Sequence, residues 1–544
     1  MENNLVKVYS QHHFMFPFRW DILPIGFGLD DIKENEPFDK RTKLSSFEES
    51  FGNWKRKQYD IKNAVGEIDP NAYNTFTYFH EFAQKTIFDF EYPWKKNQDI
   101  IRYYEYTVDE KKENFYEIEH LEKTNKNDWN CKKYHTKTLK LRVDGITLHI
   151  FNTGVGVLSY DLSNIKPEQR HPHVILKIND YGRRMYPQYL NLNAVKENFL
   201  ANKITLQLND HIIEDDFSIY DDGSIVSTVE PYRLPKFIQQ LFPDKFIFRT
   251  TPEKLKESKI LITKVTDDRM FFQCWYGNKS ISEDITTTFK ANNKINSDWL
   301  YAYIFGDKET NSSIANSELQ KEQLNTNVYK RWIGWNTVYG ISRDSFVCLT
   351  DEADFGYNHL RIHMQGMYYN ISILCLAQRA SILKFTTEVA NITDLAKLNI
   401  NNDKEKKHQK EIIENIKELY KNYIEFINKI YFREITPQIQ GIEIYTQFQK
   451  ILNIENEIKD LDNEISELHN YVSLLQDKER NDEAHQLNQM AGIFLPATLM
   501  FSILGANFYS DDNFLSNFIS LPSLIWIAIG CIPSIYFYYK IKNQ

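Results

Sequence analysis

Two apolar runs near the end of the chain limit its possible folds more than any other feature. The first includes IFLPATLMFSILGANF, from Ile493 to Phe508, and the second extends from Phe518 to Tyr539. A helix of roughly 20 apolar residues crosses a hydrocarbon core of about 30 Å. The sequence therefore predicts a hairpin of two transmembrane helices that follows one large soluble body.

The charges around this hairpin predict its orientation. Asp511 and Asp512 lie in the connecting segment, which carries no Lys or Arg. The outer ends of the hairpin are flanked by the basic residues Lys478, Arg480, Lys540 and Lys542. By the positive-inside bias, we expect a two-span protein of the inner (cytoplasmic) membrane with both termini in the cytoplasm. The N-terminus lacks the pattern of a signal peptide, and the scattered cysteines suit a reducing compartment.

The composition and motifs exclude several classes of function. The net charge of −9 argues against duplex nucleic acid as a direct partner. No GxxxxGK[ST], HExxH or GxSxG pattern occurs, and His359 and His363 have no neighbouring acidic or cysteine ligands. We therefore predict that the chain is not an enzyme, and we assign no catalytic residue and no firm metal ligand.

Helical periodicity dominates the second half of the chain. Residues 366–391 and Lys404–Glu434 read as helices, with an interruption at Thr436-Pro437. From Ile451 to Leu475, apolar residues recur at alternating spacings of three and four, which predicts a long stalk helix with a partner along one seam. We predict an α+β cytoplasmic ligand-sensing domain over 1–365, a helical stalk over 366–486 and a transmembrane hairpin over 487–544.

A stripe of small and polar residues follows one face of the first apolar run. Such residues in a span either allow close helix packing or line an aqueous path. One hairpin cannot enclose a pore, so a path requires a homo-oligomer in a lipid bilayer. The predicted pore-lining residues are Leu487, Ala491, Leu495, Thr498, Ser502, Gly505 and Asn507.

The first half of the chain combines strands with clusters of arginine and aromatic residues. QHHFMFPFRWDI (Gln11–Ile22) is either a strand that packs its rings in the core or an element that recognises a nucleobase and phosphate. Gly154-Val155-Gly156 favours a bulge or tight strand crossing over a nucleotide loop. Asp144-Gly145 predicts a turn between two strands. The adjacent Arg183 and Arg184 are either an anion clamp or a surface pair. The candidate ligand-binding residues are Arg19, Arg183, Arg184 and Arg331.

The first apolar run resembles the pore helix of CorA-type magnesium channels. The spacing of Phe494, Pro496 and Thr498 and the closing Gly505-Ala506-Asn507-Phe508 match the family in register. The resemblance implies a pentamer with Asn507 at the outer mouth and Mg²⁺ or another divalent cation as its ion. In the family's Gly-Met-Asn signature, Ala506 replaces the methionine here, which puts magnesium selectivity in doubt.

The motifs HHFMFPFRWDI, FNTGVGVLSYDL, INDYGRRMYPQYL and LAQRASIL look similar to CorA-like effectors of type III CRISPR systems. This second resemblance implies an anti-phage channel gated by a small nucleotide messenger, a conjugate of S-adenosylmethionine and AMP (SAM-AMP). The alternatives are a constitutive transporter of divalent cations gated by the intracellular cation, and a membrane-anchored binding module or enzyme.

Overall fold

We describe the protein from a computed structural model of the chain. The described residues are 6–27, 44–63, 65–90, 100–124, 133–188, 194–196, 199–221, 234–249, 254–292, 295, 297–307, 316–396, 402–508, 532, 535–536 and 539.

Strands occupy most of the first 350 residues. They are β1 Ser10–Leu23, β2 Ser50–Phe51, β3 Trp54–Arg56, β4 Ile101–Tyr106, β5 Phe115–Lys123, β6 Tyr134–Phe151, β7 Val155–Asn164, β8 Lys203–Leu208, β9 His211–Asp216, β10 Phe246–Ile247, β11 Lys259–Lys264, β12 Phe271–Gly277, β13 Val328–Tyr329, β14 Val338–Ile341 and β15 Ser345–Thr350.

Short helices lie between these strands, and longer helices follow them. They are α1 Pro70–Thr77, α2 Glu81–Ile87, α3 Pro172–Gly182, α4 Lys236–Gln239, α5 Lys279–Asn292, α6 Asp298–Phe305, α7 Ser317–Asn327, α8 Arg361–Gln365, α9 Met367–Ala396, α10 Asn402–Lys429, α11 Ile439–Ile451 and α12 Ile454–Phe508. The α+β class predicted for the first half is confirmed.

The strands form one mixed sheet in which β1 is central. Its main path runs β13-β14-β15-β12-β1-β7-β6-β4-β3-β2, and β5, β8, β9, β10 and β11 pair at its sides. β1 pairs antiparallel with β7 over Ser10–Arg19, with β12 over Ser10–Met15 and with β11 over Phe18–Leu23. This one strand therefore joins the two halves of the sheet.

Alternation along β1 separates two chemically different faces of the sheet. Phe14, Phe16 and Trp20 are fully buried in the hydrophobic core. The odd-numbered Gln11 and His13 point to the opposite face, because side chains alternate along a strand. The rings of this segment thus pack in the core, as the first of the two interpretations of Gln11–Ile22 predicted.

The expected turn at Asp144-Gly145 is wrong, because the chain continues through it as one strand. β6 extends from Tyr134 to Phe151, and its register against β7 shifts between Val143 and Gly145. Such a shift is a β-bulge, which inserts a residue without ending the strand. The glycine pair around Val155 instead starts β7, where a Cβ on Gly156 would lie 2.5 Å from the Phe18 ring.

The chain divides into two compact units. The first comprises Met1–Leu398 and Glu418–Asp462, and the second comprises Asn399–Lys417 and Asn463–Gln544. The predicted long stalk helix is confirmed as α12, a helix of 55 residues. Asn453, with a φ of +56°, separates it from α11. The predicted domain boundaries after residues 365 and 486 stay predictions.

The expected transmembrane hairpin is wrong. Among the residues that the structure describes, no helix is both long enough and apolar enough to cross a membrane. The first apolar run is the end of α12, where polar Asn488 and Gln489 directly precede about 17 apolar residues, fewer than the roughly 20 that a span needs. Most of Phe518–Tyr539 and both acidic loop residues, Asp511 and Asp512, lie outside the described residues.

The predicted localisation rested on this hairpin and is wrong for the same reason. With no spanning helix among the described residues, the expectation of an inner-membrane protein with both termini in the cytoplasm has no support.

Candidate functional site

A cleft lies over the odd-numbered face of the sheet in the first unit. It consists of two adjoining cavities of about 870 and 800 Å³, which share Lys57, Tyr103 and Glu105 in their walls. β3, β4, β6 and β7 supply its base, and α8 and α9 supply one side. Volumes of this size are typical of sites for small organic ligands.

The register of four strands brings the polar side chains of the cleft together. His13 of β1 lies opposite Asp161 of β7. Thr147 of β6 lies opposite Ser159, and His149 of the same strand lies opposite Tyr103 of β4. These residues are far apart in the sequence but adjacent in the sheet, so the fold assembles a polar surface from isolated polar positions.

Asp161 is the carboxylate at the base of the cleft. Its side chain is 28% exposed, and its Oδ1 accepts a 2.9 Å hydrogen bond from Gln11 Nε2. Burial, together with the nearby Asp144 carboxylate, raises the pKa of Asp161 to about 7. His13 Nδ1 lies 3.6 Å from the same Oδ1, which is beyond hydrogen-bonding distance.

Two buried histidines near the cleft, His13 beside Asp161 and His149 opposite Tyr103, have unpartnered nitrogens. Within the described part of the chain, both ring nitrogens of His13 and the Nδ1 of His149 lack a hydrogen-bond partner. Burial lowers the pKa of His13 to about 4 and that of His149 to about 3, so both rings are neutral near pH 7. Buried polar atoms without partners are uncommon in folded proteins, and they indicate a site where a ligand completes the bonding.

Aromatic rings line the same region. The Tyr369 ring, from the start of α9, lies 5.0 Å from His13 and 5.9 Å from His149 between centroids. Its hydroxyl group forms a 2.9 Å hydrogen bond with Thr147 Oγ1. Tyr103 lies 5.0 Å from His149 on the other side. Flat rings in a half-open cleft offer stacking surfaces to a heterocyclic base.

The walls of the cleft carry both signs of charge. Lys57 Nζ lies 2.9 Å from Glu105 Oε2, and Arg142 Nε lies 2.6 Å from Asp144 Oδ1. Lys55 and Arg361 also line the cleft, and neither has a carboxylate partner among the residues described here. Arg361 Nε donates instead to the Tyr357 carbonyl oxygen at 3.2 Å. Two cations are thus free to meet an anionic group.

The four arginines selected from the sequence lie outside the walls of both cavities. Arg184 pairs with Asp180 at 2.8 Å and with Asp268 at 3.0 Å. Its positive charge is therefore neutralised by carboxylates within the fold. Arg331 pairs with Glu443. Arg19 is half-buried near the far end of β1.

Arg183 is completely buried, with its guanidinium 4.9 Å from the centre of the Phe272 ring. Its Nη2 donates to the Gly306 carbonyl oxygen at 2.9 Å. Burial and the nearby Arg269 lower the pKa of Arg183 to about 10. The structure therefore does not bring these arginines together, and a ligand role for them stays a prediction.

The predicted pore stripe lies on α12. Leu487 is 67% exposed and Leu495 is 61% exposed. Thr498 Oγ1 donates to the Phe494 carbonyl oxygen at 2.5 Å, and Ser502 Oγ donates to the Thr498 carbonyl oxygen at 2.8 Å. Ala491 is also exposed on this helix. The side chains of the signature residues are not described, although the helix includes Gly505, Ala506 and Asn507.

The segments that contain His13 and Asp161 are recognisable in the sequence, but the sequence analysis did not predict these two residues as part of a site. It also missed His149, Tyr369 and Arg361. Polar residues at alternate positions of neighbouring strands were the available signal, but the pairing of those strands cannot be read from one sequence.

Comparisons with known proteins add little to this description. No known protein family and no curated protein matches the chain. A solved structure of the CorA magnesium transporter from Methanocaldococcus jannaschii is similar to it, with 12% sequence identity. The match covers 52% of this chain and 95% of that one, with a TM-score of 0.21. A score this low carries no argument about fold or activity.

Proposed function

We propose that the first unit is a binding module that holds a nucleotide-class ligand in the cleft over the odd-numbered face of the sheet. The observation that carries the proposal is the combination of Lys55 and Arg361, two cations without carboxylate partners among the described residues, with the unpartnered Nδ1 of buried His149 in one cleft. Phosphate groups meet the cations, since both guanidinium and ammonium bind phosphate oxygens. The rings of Tyr103 and Tyr369 accommodate the base.

The size and mixed charge of the cleft narrow the ligand class. Two adjoining cavities of about 870 and 800 Å³ hold a ligand larger than a single mononucleotide. The wall that holds the cations also includes the carboxylates of Glu105, Asp144 and Asp161. These negative charges disfavour a purely anionic ligand such as polyphosphate. SAM-AMP, the messenger expected from the sequence resemblance, belongs to this class and is the first compound to test. The expected role in phage defence stays a prediction.

Calorimetric titration of the purified chain with SAM-AMP and with ATP tests the proposal. Charge reversal by Lys55→Glu or Arg361→Glu should weaken binding about tenfold or more, which corresponds to about 1.4 kcal/mol. The matched control is Lys279→Glu, because Lys279 is exposed on α5 and lies outside the cleft walls. Equal losses in all three variants, or no binding by either compound, would contradict the proposal.

We also propose that the chain forms homo-oligomers through the apolar side of α12. Leu487, Phe494, Leu495 and Leu499 are between 57% and 67% exposed in the single chain. Apolar side chains at this helical spacing commonly pack against another helix. A second copy of the chain offers the same surface, and the expected pentamer is one closed arrangement of such copies.

Light scattering coupled to size-exclusion chromatography measures this association. Leu487→Lys with Leu495→Lys should reduce the mass of the particle, whereas Glu483→Lys, an exposed polar position on the same helix, should not. A monomeric wild-type chain would contradict the proposal.

A further inference from the structure

The acceptor groups at the base of the cleft indicate what part of the ligand binds there. Gln11 Nε2 donates to Asp161, so the amide oxygen of Gln11 must point away from that carboxylate. This oxygen is buried and has no hydrogen-bond partner among the described residues. Gln11 is only 1% exposed and lines neither cavity, so the acceptor that the base of the cleft presents is the carboxylate of Asp161.

The groups that face Asp161 come from each element packed around it. His13 of β1 is neutral, and the cation of Arg142 is already paired with Asp144 on β6. Arg361 of α8 acts on the carboxylate through its charge and has no hydrogen bond to it. The carboxylate of Asp161 can therefore accept a further hydrogen bond from a donor group of the ligand.

We infer that Asp161 accepts an N–H donor of a nucleobase, so that the site selects bases that carry an exocyclic amine. This inference rests on the proposed function, since it places the base at the carboxylate and the phosphates at Lys55 and Arg361. A site built around unpaired acceptors rejects an analogue without the matching donor, because the acceptors then stay buried and unbonded.

Comparing ATP and GTP with inosine triphosphate (ITP) tests the selection, since ITP lacks the exocyclic amine of either base. At pH 8, where Asp161 with its pKa of about 7 is mostly ionised, the wild-type chain should bind ATP or GTP at least about tenfold more tightly than ITP, as expected for one hydrogen bond to a charged group. Asp161→Asn should bring this ratio close to one while leaving ITP affinity nearly unchanged. Asp284→Asn is the matched control, because Asp284 is exposed on α5 and lies outside the cleft walls.

The outcomes separate this inference from the proposed function. If ATP, GTP and ITP all fail to bind, the proposed function is overturned and the inference falls with it. If they bind but the wild type does not discriminate, or Asp161→Asn keeps the wild-type ratio, only the selection is overturned. If Asp161→Asn does not fold, as judged by circular dichroism, Gln11→Met frees Asp161 Oδ1 for the ligand, and a ratio below that of the wild type would overturn the selection.

Discussion

The two faces of β1 differ in how completely their buried polar groups are hydrogen-bonded. His12 and His13 are neighbours in sequence, and burial lowers the pKa of each to about 4. His12 is fully bonded, at 2.9 Å to Ser10 Oγ and 2.7 Å to Asn179 Oδ1 of α3. His13 has no bond at either nitrogen and lies beside Asp161. The difference teaches that burial and a lowered pKa do not distinguish the two histidines, whereas their hydrogen-bond partners do.

Removing a core ring should have the largest effect on the even-numbered face. Phe14→Ala should lower the free energy of unfolding by roughly 3–5 kcal/mol, because the ring is fully buried and leaves a cavity. Chemical denaturation measures this loss. Lys55→Ala on the opposite face should stay within about 0.5 kcal/mol of the wild type, as is usual for exposed positions. Similar losses in the two variants would show that the faces do not differ as described.

The two histidines provide the sharpest test of the comparison. His12→Leu should lower the free energy of unfolding by about 1–3 kcal/mol, because it leaves the Asn179 amide oxygen without its donor. His13→Leu removes nitrogens that have no partners and should change stability by less than about 1 kcal/mol. Chemical denaturation of the two variants provides the measurement. A larger loss for His13→Leu would reverse the assignment of the two faces.

Stability should depend on pH with opposite signs for His12 and Asp161, whereas His13, whose pKa is also lowered to about 4, contributes with the sign of His12. The folded-state pKa of His12 is lowered from 6.5 to about 4, so its unfolded form binds more protons between these values and stability rises with pH. The pKa of Asp161 is raised from 3.8 to about 7, so its contribution falls as pH rises through that range. Each group contributes at most about 1.4 kcal/mol per pH unit.

Denaturation at pH 4.5, 5.5 and 6.5 separates the two contributions. Asp161→Asn should steepen the rise in stability with pH, and His12→Leu should flatten it. If stability depends on pH in both variants as it does in the wild type, then the pKa of neither group changes on unfolding.

The smallest expected effect concerns the residue that covers the polar face. Tyr369→Phe removes the hydroxyl that bonds Thr147 and should lower the free energy of unfolding by about 0.5–1.5 kcal/mol. Tyr73→Phe is the control, because Tyr73 is 44% exposed and should give no measurable change. Thermal denaturation compares the two. Equal effects would indicate that the Tyr369–Thr147 bond adds nothing to stability.

Local patterns in the sequence predicted the elements but not their assembly. The sequence predicted strands in the first half of the chain, where β1 to β15 lie, and the 3-4 spacing of apolar residues predicted the long helix α12. The pairing of β1 with β7 joins His13 to Asp161 across about 150 residues, and no local rule specifies such a partner. The membrane prediction failed because apolar character alone was given more weight than the length of the first run.

The bulge at Asp144 has a consequence for the evolution of the cleft. Before it, β6 buries odd-numbered residues such as Leu141, and after it the strand buries even-numbered ones such as Leu148. The extra residue thus switches the residues that face the core from odd-numbered positions before the bulge to even-numbered positions after it. Deleting Asp144 alone would turn Thr147 and His149 into the core. A lineage of related chains can therefore lose this cleft through the loss of one codon, although every other residue of the cleft stays unchanged.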